Sequence, residues 1–192
     1  KSFLPSFGLS NSPSGAWFLG KGIKSSLLMS KASSLYRCLS KTIFSASSLL
    51  KILNDEICET TSRGMFVTMI VGVYDKNKNE LLLANAGHEP PLIFSKDGNF
   101  KTIDEAGPPL GIAPNFKFAE QIISFKESSM YIFTDGITEM KNNNGEMLGQ
   151  EGFQDYIKKY QTTPNNKRLQ KMIEDLISSG RIQKDDLTIV TV

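Results

Sequence analysis

Residues 131–140 read YIFTDGITEM, an apolar run of strand character that stops at an aspartate followed at once by glycine. A second acid, Glu139, follows Asp135 four residues later. The residues alone leave two interpretations open. In the first, Asp135 begins a surface turn, since Asp-Gly is a common turn dipeptide. In the second, the strand delivers the Asp135 carboxylate to a functional site.

Helical patterns flank a run of strand patterns on both sides of this stretch. Helices are predicted over residues 23–39 and from an N-cap at Ser45 or Ser47. The second of these helices is expected to bury one face, made of Leu49, Leu50, Leu53 and Ile57. Helices return at residues 149–160 and after Pro164, where the pattern runs to Gly180.

The strand patterns begin at Met65 and are joined by short polar turns, the clearest of which is Asp97-Gly98. Apolar runs at 116–125 and 130–135 are predicted to continue the same meander, and DLTIVTV forms a last strand. Helices at both ends of hairpin-linked strands predict an α+β fold, in which helices cover an antiparallel sheet or a pair of stacked sheets.

Length and composition indicate a single domain over residues 1–192, with an irregular lead-in at 1–22 that holds at most one short strand. A formal net charge of +2 gives no case for nucleic acid. The longest nearly apolar stretch is about half the length of a membrane-spanning helix, so no membrane insertion is expected. Cys38 and Cys58 lack metal-ligand spacing and are predicted to be buried free thiols. Together these features predict a cytoplasmic protein, or a cytoplasmic domain of a larger one.

Two acidic clusters lie at strand ends: Asp135 ends one strand, and Asp185 with Asp186 precedes the last. In antiparallel neighbours these ends lie together, so the carboxylates would converge and would need a cation between them. Mg²⁺ and Mn²⁺ prefer oxygen ligands of this kind, and Gly136 would let the backbone approach such an ion. The alternative is that both clusters are solvated turns.

Several motifs in order resemble the bacterial branch of the metal-dependent protein phosphatases (PPM, type 2C), the sporulation stage II protein E-like phosphatases. They are FVTMIVGVYD, ANAGHEPPLIF, GPPLGI, YIFTDGITE and DDLTIVTV, with LGKGIKSSLLMS upstream, and the match spans about residues 20–192. The resemblance implies two stacked antiparallel sheets flanked by helices, an α-β-β-α sandwich. It also implies two Mg²⁺ or Mn²⁺ ions that activate a water to attack a phosphoserine or phosphothreonine.

By the same resemblance Asp135 and Asp185 are metal ligands and catalytic residues, and Asp186 is an outer residue of the site. Glu139 matches a recurrent acid that has either an auxiliary role or the role of an acid at a helix start. His88 falls in the family's Asn-Ala-Gly-His turn, where a structural role is favoured over a catalytic one. No organic cofactor is implied.

The N-terminal segment departs from the family pattern. In SGAWF, residues 14–18, Ala16 stands where the family's first aspartate belongs, and Trp17 stands at the position of the metal-bridging aspartate. Three explanations remain open: a segment is missing near residues 18–19, the deletion is genuine and the protein is a pseudophosphatase, or Asp135 and Asp185 hold one weakly bound ion.

The sequence therefore predicts a Mg²⁺- or Mn²⁺-dependent protein serine/threonine phosphatase. Its expected substrate is a phosphorylated regulatory protein, an anti-sigma-factor antagonist. The alternative is a catalytically silent module that binds a partner. The resemblance is also compatible with a homodimer and with an N-terminal sensory domain outside this chain.

Overall fold

The computed structural model describes residues 14–19, 22–60, 64–103, 106–124, 128–183 and 187–191. Two compact units are present, one within residues 1–90 and 103–126 and the other within residues 91–102 and 127–192. Each contains one antiparallel sheet of four strands with helices packed on it. The single-domain organisation and the missing segment near 18–19 stay predictions.

Among its described residues, the first unit holds a sheet in the order β1-β2-β3-β6 and two helices. Its elements are β1 (Ser14–Leu19), α1 (Gly22–Leu39), α2 (Ala46–Thr60), β2 (Thr68–Asp75), β3 (Glu80–Ala86) and β6 (Gln121–Ser124). Strand β1 lies within the predicted irregular lead-in, and residues 1–13 are outside the described residues. Six residue pairs, from Ser14↔Val73 to Leu19↔Thr68, join β1 to β2.

Helix α2 supplies much of the core of the first unit. Its predicted N-cap is confirmed, because the Ser48 backbone N–H donates a hydrogen bond of 3.2 Å to Ser45 Oγ. The predicted apolar face is confirmed as well. Four side chains of this face have no exposed surface, and they pack in one cluster with Met69 and Val71 of β2: Leu49, Leu50, Leu53 and Ile57.

A buried asparagine ties α2 to the loop that follows Leu110. Asn54 Nδ2 donates to the Ala113 carbonyl (2.8 Å), and Asn54 Oδ1 accepts from the Gly111 N–H (3.0 Å). Asp55 Oδ1 accepts from the Asn115 N–H at 2.8 Å. The buried Asn54 amide thus has hydrogen-bond partners for both its oxygen and its nitrogen, as a buried polar side chain requires.

In the part of the second unit that the structure describes, there are a sheet in the order β5-β4-β7-β8 and three helices. Its elements are β4 (Leu92–Ser95), β5 (Phe100–Thr102), β7 (Ser128–Phe133), α3 (Asp135–Thr138), α4 (Gly149–Lys159), α5 (Asn165–Ser178) and β8 (Ile189–Thr191). The predicted hairpin at Asp97-Gly98 joins β4 and β5, and Gly98 has a φ of 84°, which favours glycine.

Strand β7 is central to the second unit and fully buried over its last four residues. Tyr131 and Phe133 pack against α4 and α5, and the Phe133 and Phe153 ring centroids lie 4.8 Å apart. Met172 and Leu176 of α5 complete this core with no exposed surface. Ile177, the next residue of α5, is 60% exposed.

The predicted meander is wrong at β6 and β7. Strand β6 pairs with β3, whereas β7 lies in the other sheet between β4 and β8. The chain returns to the first sheet because the Gly107 N–H donates to the Asn85 carbonyl and Leu110 bridges Val67. Phe118 is buried in the first core, and the strand that the structure describes within the predicted range of 116–125 is Gln121–Ser124.

The predicted burial of the cysteines is also wrong, although both thiols are free. Cys38 is exposed near the end of α1, and Cys58 is half-buried. Burial raises the pKa of the Cys58 thiol. No helix among the described residues is both long and apolar enough to cross a membrane.

We predict that Asn54→Ala lowers the free energy of unfolding by about 2 kcal/mol, because it leaves the Gly111 N–H and the Ala113 carbonyl without their partner. Urea denaturation measures this change. Asn77→Ala, an exposed position in the β2–β3 turn, is the matched control and should leave the midpoint unchanged. Equal loss in the two variants would contradict this role of Asn54.

We predict that Asp175→Asn weakens the dependence of stability on pH in acid. Lys159 Nζ (2.6 Å) and the Tyr160 hydroxyl (2.9 Å) donate to Asp175 and lower its pKa below the ordinary 3.8. A lowered pKa stabilises the fold at pH values above 3.8. This contribution is lost as the pH falls through the pKa that Asp175 has in the folded protein. Urea midpoints on either side of that pH should fall less steeply for Asp175→Asn than for wild type. Asp155→Asn, exposed on α4, is the control and should follow wild type.

Candidate functional site

The pairing of β7 with β8 places Asp135 at one end of the sheet. The ladder runs to Phe133↔Ile189 and continues by one more pair. The Thr134 N–H donates to the Thr188 carbonyl, and the Thr188 N–H donates to Thr134 Oγ1, both at 3.2 Å. Asp135 therefore follows directly after the last contact between the two strands, at the end where the chain enters β8.

The strand passes at Asp135 into a single helical turn, α3. The Asp135 carbonyl accepts hydrogen bonds from the Glu139 N–H (2.8 Å) and from Thr138 Oγ1 (3.2 Å), which closes the turn. The Asp135 side chain is exposed, and no other described residue gives its carboxylate a hydrogen bond or an ion pair. Its negative charge is thus uncompensated within the described part of the chain.

Two further residues of the predicted site, Gly136 and Glu139, lie at different positions relative to α3. Gly136 is buried in α3 and does not have a positive φ, so the local conformation does not itself require glycine. Glu139 is exposed and follows α3 as its C-cap residue. The interpretation of Glu139 as an acid at a helix start is therefore wrong, because Asp135 occupies the first turn.

Asp185 and Asp186 lie outside the described residues, which resume at Leu187. The antiparallel pairing of β7 with β8, on which their predicted convergence with Asp135 depends, is present. Their roles, and the assignment of Asp135 as a ligand, stay predictions.

Among the described residues, no group of three or more His, Cys, Asp or Glu side chains is placed to hold a metal ion. Asp135 offers an exposed carboxylate at the predicted place, and hard cations such as Mg²⁺ prefer oxygen ligands of this kind. Asp135 thus fits one ligand position of a divalent cation.

The backbone of β1 shows where the departure from the family pattern lies. Ala16 pairs with Val71 and Trp17 pairs with Ile70, both within the ladder to β2. Neither an alanine nor a tryptophan side chain can ligate Mg²⁺ or Mn²⁺. The strand is therefore present, whereas the acids that the resemblance expects at these two positions are absent from the sequence.

His88 belongs to a hydrogen-bonded turn after β3. The buried side chain of Asn85 bonds the backbone of His88 twice, accepting from its N–H (2.8 Å) and donating to its carbonyl (2.9 Å). The His88 ring is buried, with Nδ1 3.4 Å from Thr68 Oγ1. These contacts agree with the predicted structural role of His88.

The threonine pair at the end of β7 and β8 was not singled out from the sequence. Neither threonine is marked as a partner of the other by its neighbours in sequence, because Thr134 lies beside Asp135 in TDG and Thr188 lies beside Leu187 in DLT. Only the register of the two strands shows that Thr134 and Thr188 face each other.

Comparison with known proteins places the chain in a family. Residues 18–192 match the stage II sporulation protein E (SpoIIE) family, and the chain belongs to it. Phosphoserine phosphatase RsbU of Bacillus subtilis (strain 168) is 28% identical over 177 residues, which cover 91% of this chain. The chain spans 52% of the length of RsbU.

Two solved structures show the same fold at low sequence identity. The SiaA-PP2C domain of Pseudomonas aeruginosa has a TM-score of 0.77 at 14% identity, covering 93% of this chain and 73% of that chain. RsbX in complex with magnesium has a TM-score of 0.66 at 16% identity, covering 93% and 78%. The resemblance to PPM phosphatases and the fold class of two antiparallel sheets flanked by helices are thus confirmed.

We predict that Thr134→Val lowers the free energy of unfolding by about 1–2 kcal/mol. Valine keeps the shape of threonine but removes the hydroxyl that accepts from the Thr188 N–H, and Thr134 is buried. Urea denaturation measures the loss. Thr162→Val, at an exposed threonine, is the matched control and should be neutral. Equal effects in the two variants would show that the hydroxyl of Thr134 does not support this end of the sheet.

Proposed function

We propose that this chain is a Mg²⁺- or Mn²⁺-dependent protein phosphatase domain that hydrolyses phosphoserine or phosphothreonine on a regulatory protein. The observation that carries the proposal is the uncompensated Asp135 carboxylate, held at the end of β7 where the chain enters β8. Membership of the SpoIIE family supports the reaction class, because RsbU, a relative over 91% of the chain, is a phosphoserine phosphatase.

In this proposal Asp135 and Asp185 hold the cations, two of which are expected. Auxiliary roles near the cations are assigned in this proposal to Asp186, Gly136 and Glu139. A bound divalent cation lowers the pKa of water towards neutrality and neutralises charge on the phosphoryl group. The magnesium complex of RsbX, a protein of the same fold, supports the choice of metal.

The described residues of this chain position Asp135 and supply the negative charge of its carboxylate. The Thr134–Thr188 pair fixes the end of β7 next to β8, and α3 holds the Asp135 backbone by two hydrogen bonds. Asp135 therefore has a supported backbone and an exposed side chain. The backbone that carries the carboxylate is thus already ordered before a cation binds.

The proposed substrate is a phosphorylated anti-sigma-factor antagonist, as the family resemblance implies. A cytoplasmic location, a homodimer and a sensory domain outside this chain belong to the same proposal. Because the chain spans 52% of the length of RsbU, these proposals concern a domain that can form part of a larger protein.

The second candidate function is a silent partner-binding module with the same fold. It is favoured by one observation: Ala16 and Trp17 stand in β1 where the resemblance expects acids. Such a module would keep both sheets without hydrolysing phosphoserine, since a fold alone does not determine an activity.

We predict that the chain releases phosphate from a phosphoserine protein in the presence of Mn²⁺, and that Asp135→Asn abolishes this release. The loss should exceed the roughly 10- to 100-fold effect of removing an outer partner of a metal ligand. Initial rates of phosphate release across a Mn²⁺ titration measure the effect. The matched control is Asp155→Asn, an exposed aspartate of α4, which should keep wild-type activity.

Calorimetric titration of Mn²⁺ separates the two candidate functions. The phosphatase should bind Mn²⁺ in a manner that Asp135→Asn weakens and Asp155→Asn does not. A folded chain that binds no Mn²⁺ and releases no phosphate would exclude the enzyme and leave the silent module.

A further inference from the structure

The second unit contains a pocket that the proposed phosphatase site does not use. It is an open surface pocket of about 450 Å³, a volume in the range of small-molecule sites. It lies where the start of β7 and the end of β4 meet the α4–α5 loop. The described residues that line it are Phe94, Ser95, Lys96, Ser128, Ser129, Gln161, Thr162 and Arg168, none of which is acidic.

The pocket is remote from Asp135 within the second unit. Strand β7 begins at Ser128, beside the pocket, and ends at Phe133, next to Asp135. Ser129 precedes Asp135 by six positions, which corresponds to roughly 20 Å along an extended chain. A ligand in the pocket would therefore not share the candidate cation site.

Arg168 is held in a fixed orientation at the pocket by neutral acceptors. Its Nε donates to the Thr163 carbonyl (3.2 Å) and its Nη2 to the Gln161 carbonyl (2.8 Å). Its Nη1 lies 3.5 Å from the Tyr131 hydroxyl. Arg168 is half-buried, and the described part of the chain offers it no carboxylate partner. Its positive charge is thus oriented but not neutralised.

Side-chain hydroxyls and an aromatic ring line the same pocket as Arg168. Ser129 lies opposite Phe94 in the β4–β7 ladder, and Thr162 is exposed on the α4–α5 loop. Phe94 is buried and packs on Phe100, with ring centroids 4.8 Å apart, so it forms a rigid wall. Hydroxyl groups donate to anionic oxygens, and the charge of a fixed guanidinium attracts a phosphate group.

We infer that this pocket binds the phosphoryl group of a phosphate monoester. Arg168 supplies the charge, Ser129 and Thr162 supply hydroxyl donors, and the pocket leaves room for the group that carries the phosphate. Sulfate monoesters and carboxylates would satisfy the charge less well, because each carries one negative charge, whereas a phosphate monoester carries up to two and has three acceptor oxygens. The inference goes beyond the proposed phosphatase activity and does not depend on it.

The test is a nuclear magnetic resonance titration of the full ¹⁵N-labelled chain at constant ionic strength. Inorganic phosphate, O-phosphoserine and unphosphorylated serine are the three probes. The measured quantities are the chemical shifts of the backbone amides of Ser129, Thr162 and Arg168, which line the pocket. Phosphate bound near Asp135 is therefore not counted. Saturable shifts are expected with inorganic phosphate and O-phosphoserine, and none with serine.

A matched pair of variants tests whether charge in the pocket governs binding. Gln161→Glu places a carboxylate in the pocket without changing side-chain shape, and it leaves the backbone carbonyl that Arg168 uses. Gln150→Glu adds the same charge at an exposed position of α4 that does not line the pocket. Gln161→Glu should weaken O-phosphoserine binding at least about tenfold, because like charges repel, and Gln150→Glu should change it less than about twofold.

A second variant tests the guanidinium itself. Arg168→Lys keeps the charge but loses the hydrogen bonds to the Thr163 and Gln161 carbonyls that orient it, so O-phosphoserine should bind more weakly than to wild type. The inference is overturned if the three amides show no saturable shift, if serine shifts them equally, or if O-phosphoserine fails to bind where phosphate does. Equal affinities in Gln161→Glu and Gln150→Glu would overturn it as well. None of these results depends on whether the chain hydrolyses phosphoserine.

Discussion

The pairing of β7 with β8 is the interaction on which the second unit and its candidate site depend. It is completed by the Thr134–Thr188 hydrogen bonds, which carry the ladder to the residue before Asp135. On the same strand, Tyr131 and Phe133 are buried against α4 and α5. Because β7 is held by both neighbouring strands and by the core, the chemistry at its ends rests on a rigid support.

The two ends of β7 differ in electrostatic character. Asp135 brings an uncompensated negative charge to one end, which suits a cation, whereas Arg168 brings an uncompensated positive charge near the other, which suits a phosphoryl group. A strand of this length separates the two by roughly 20 Å, so opposite charges do not neutralise each other across it. The second unit can therefore hold two ligands of opposite charge without competition between them.

Family membership and chemistry rest on different parts of the chain. Strand β1 keeps its place because ladder hydrogen bonds come from the backbone, so the pairing with β2 tolerates Ala16 and Trp17. Metal ligation comes from side chains, and these two residues cannot supply it. The fold is thus retained where two expected acids are not, which is why the activity is a proposal and the family is not.

The sequence by itself determined the features that arise from neighbouring residues. The buried face of α2, its Ser45 cap and the Asp97-Gly98 hairpin follow from local periodicity and turn chemistry, and the motif order identified the family. The position of Asp135 at a strand end was predicted in the same way. Only the tertiary structure showed that β6 pairs with β3, that Cys38 is exposed, and that Arg168 meets Ser129 in one pocket. These features join residues distant in sequence, and no local pattern encodes which distant partner a strand or side chain will meet.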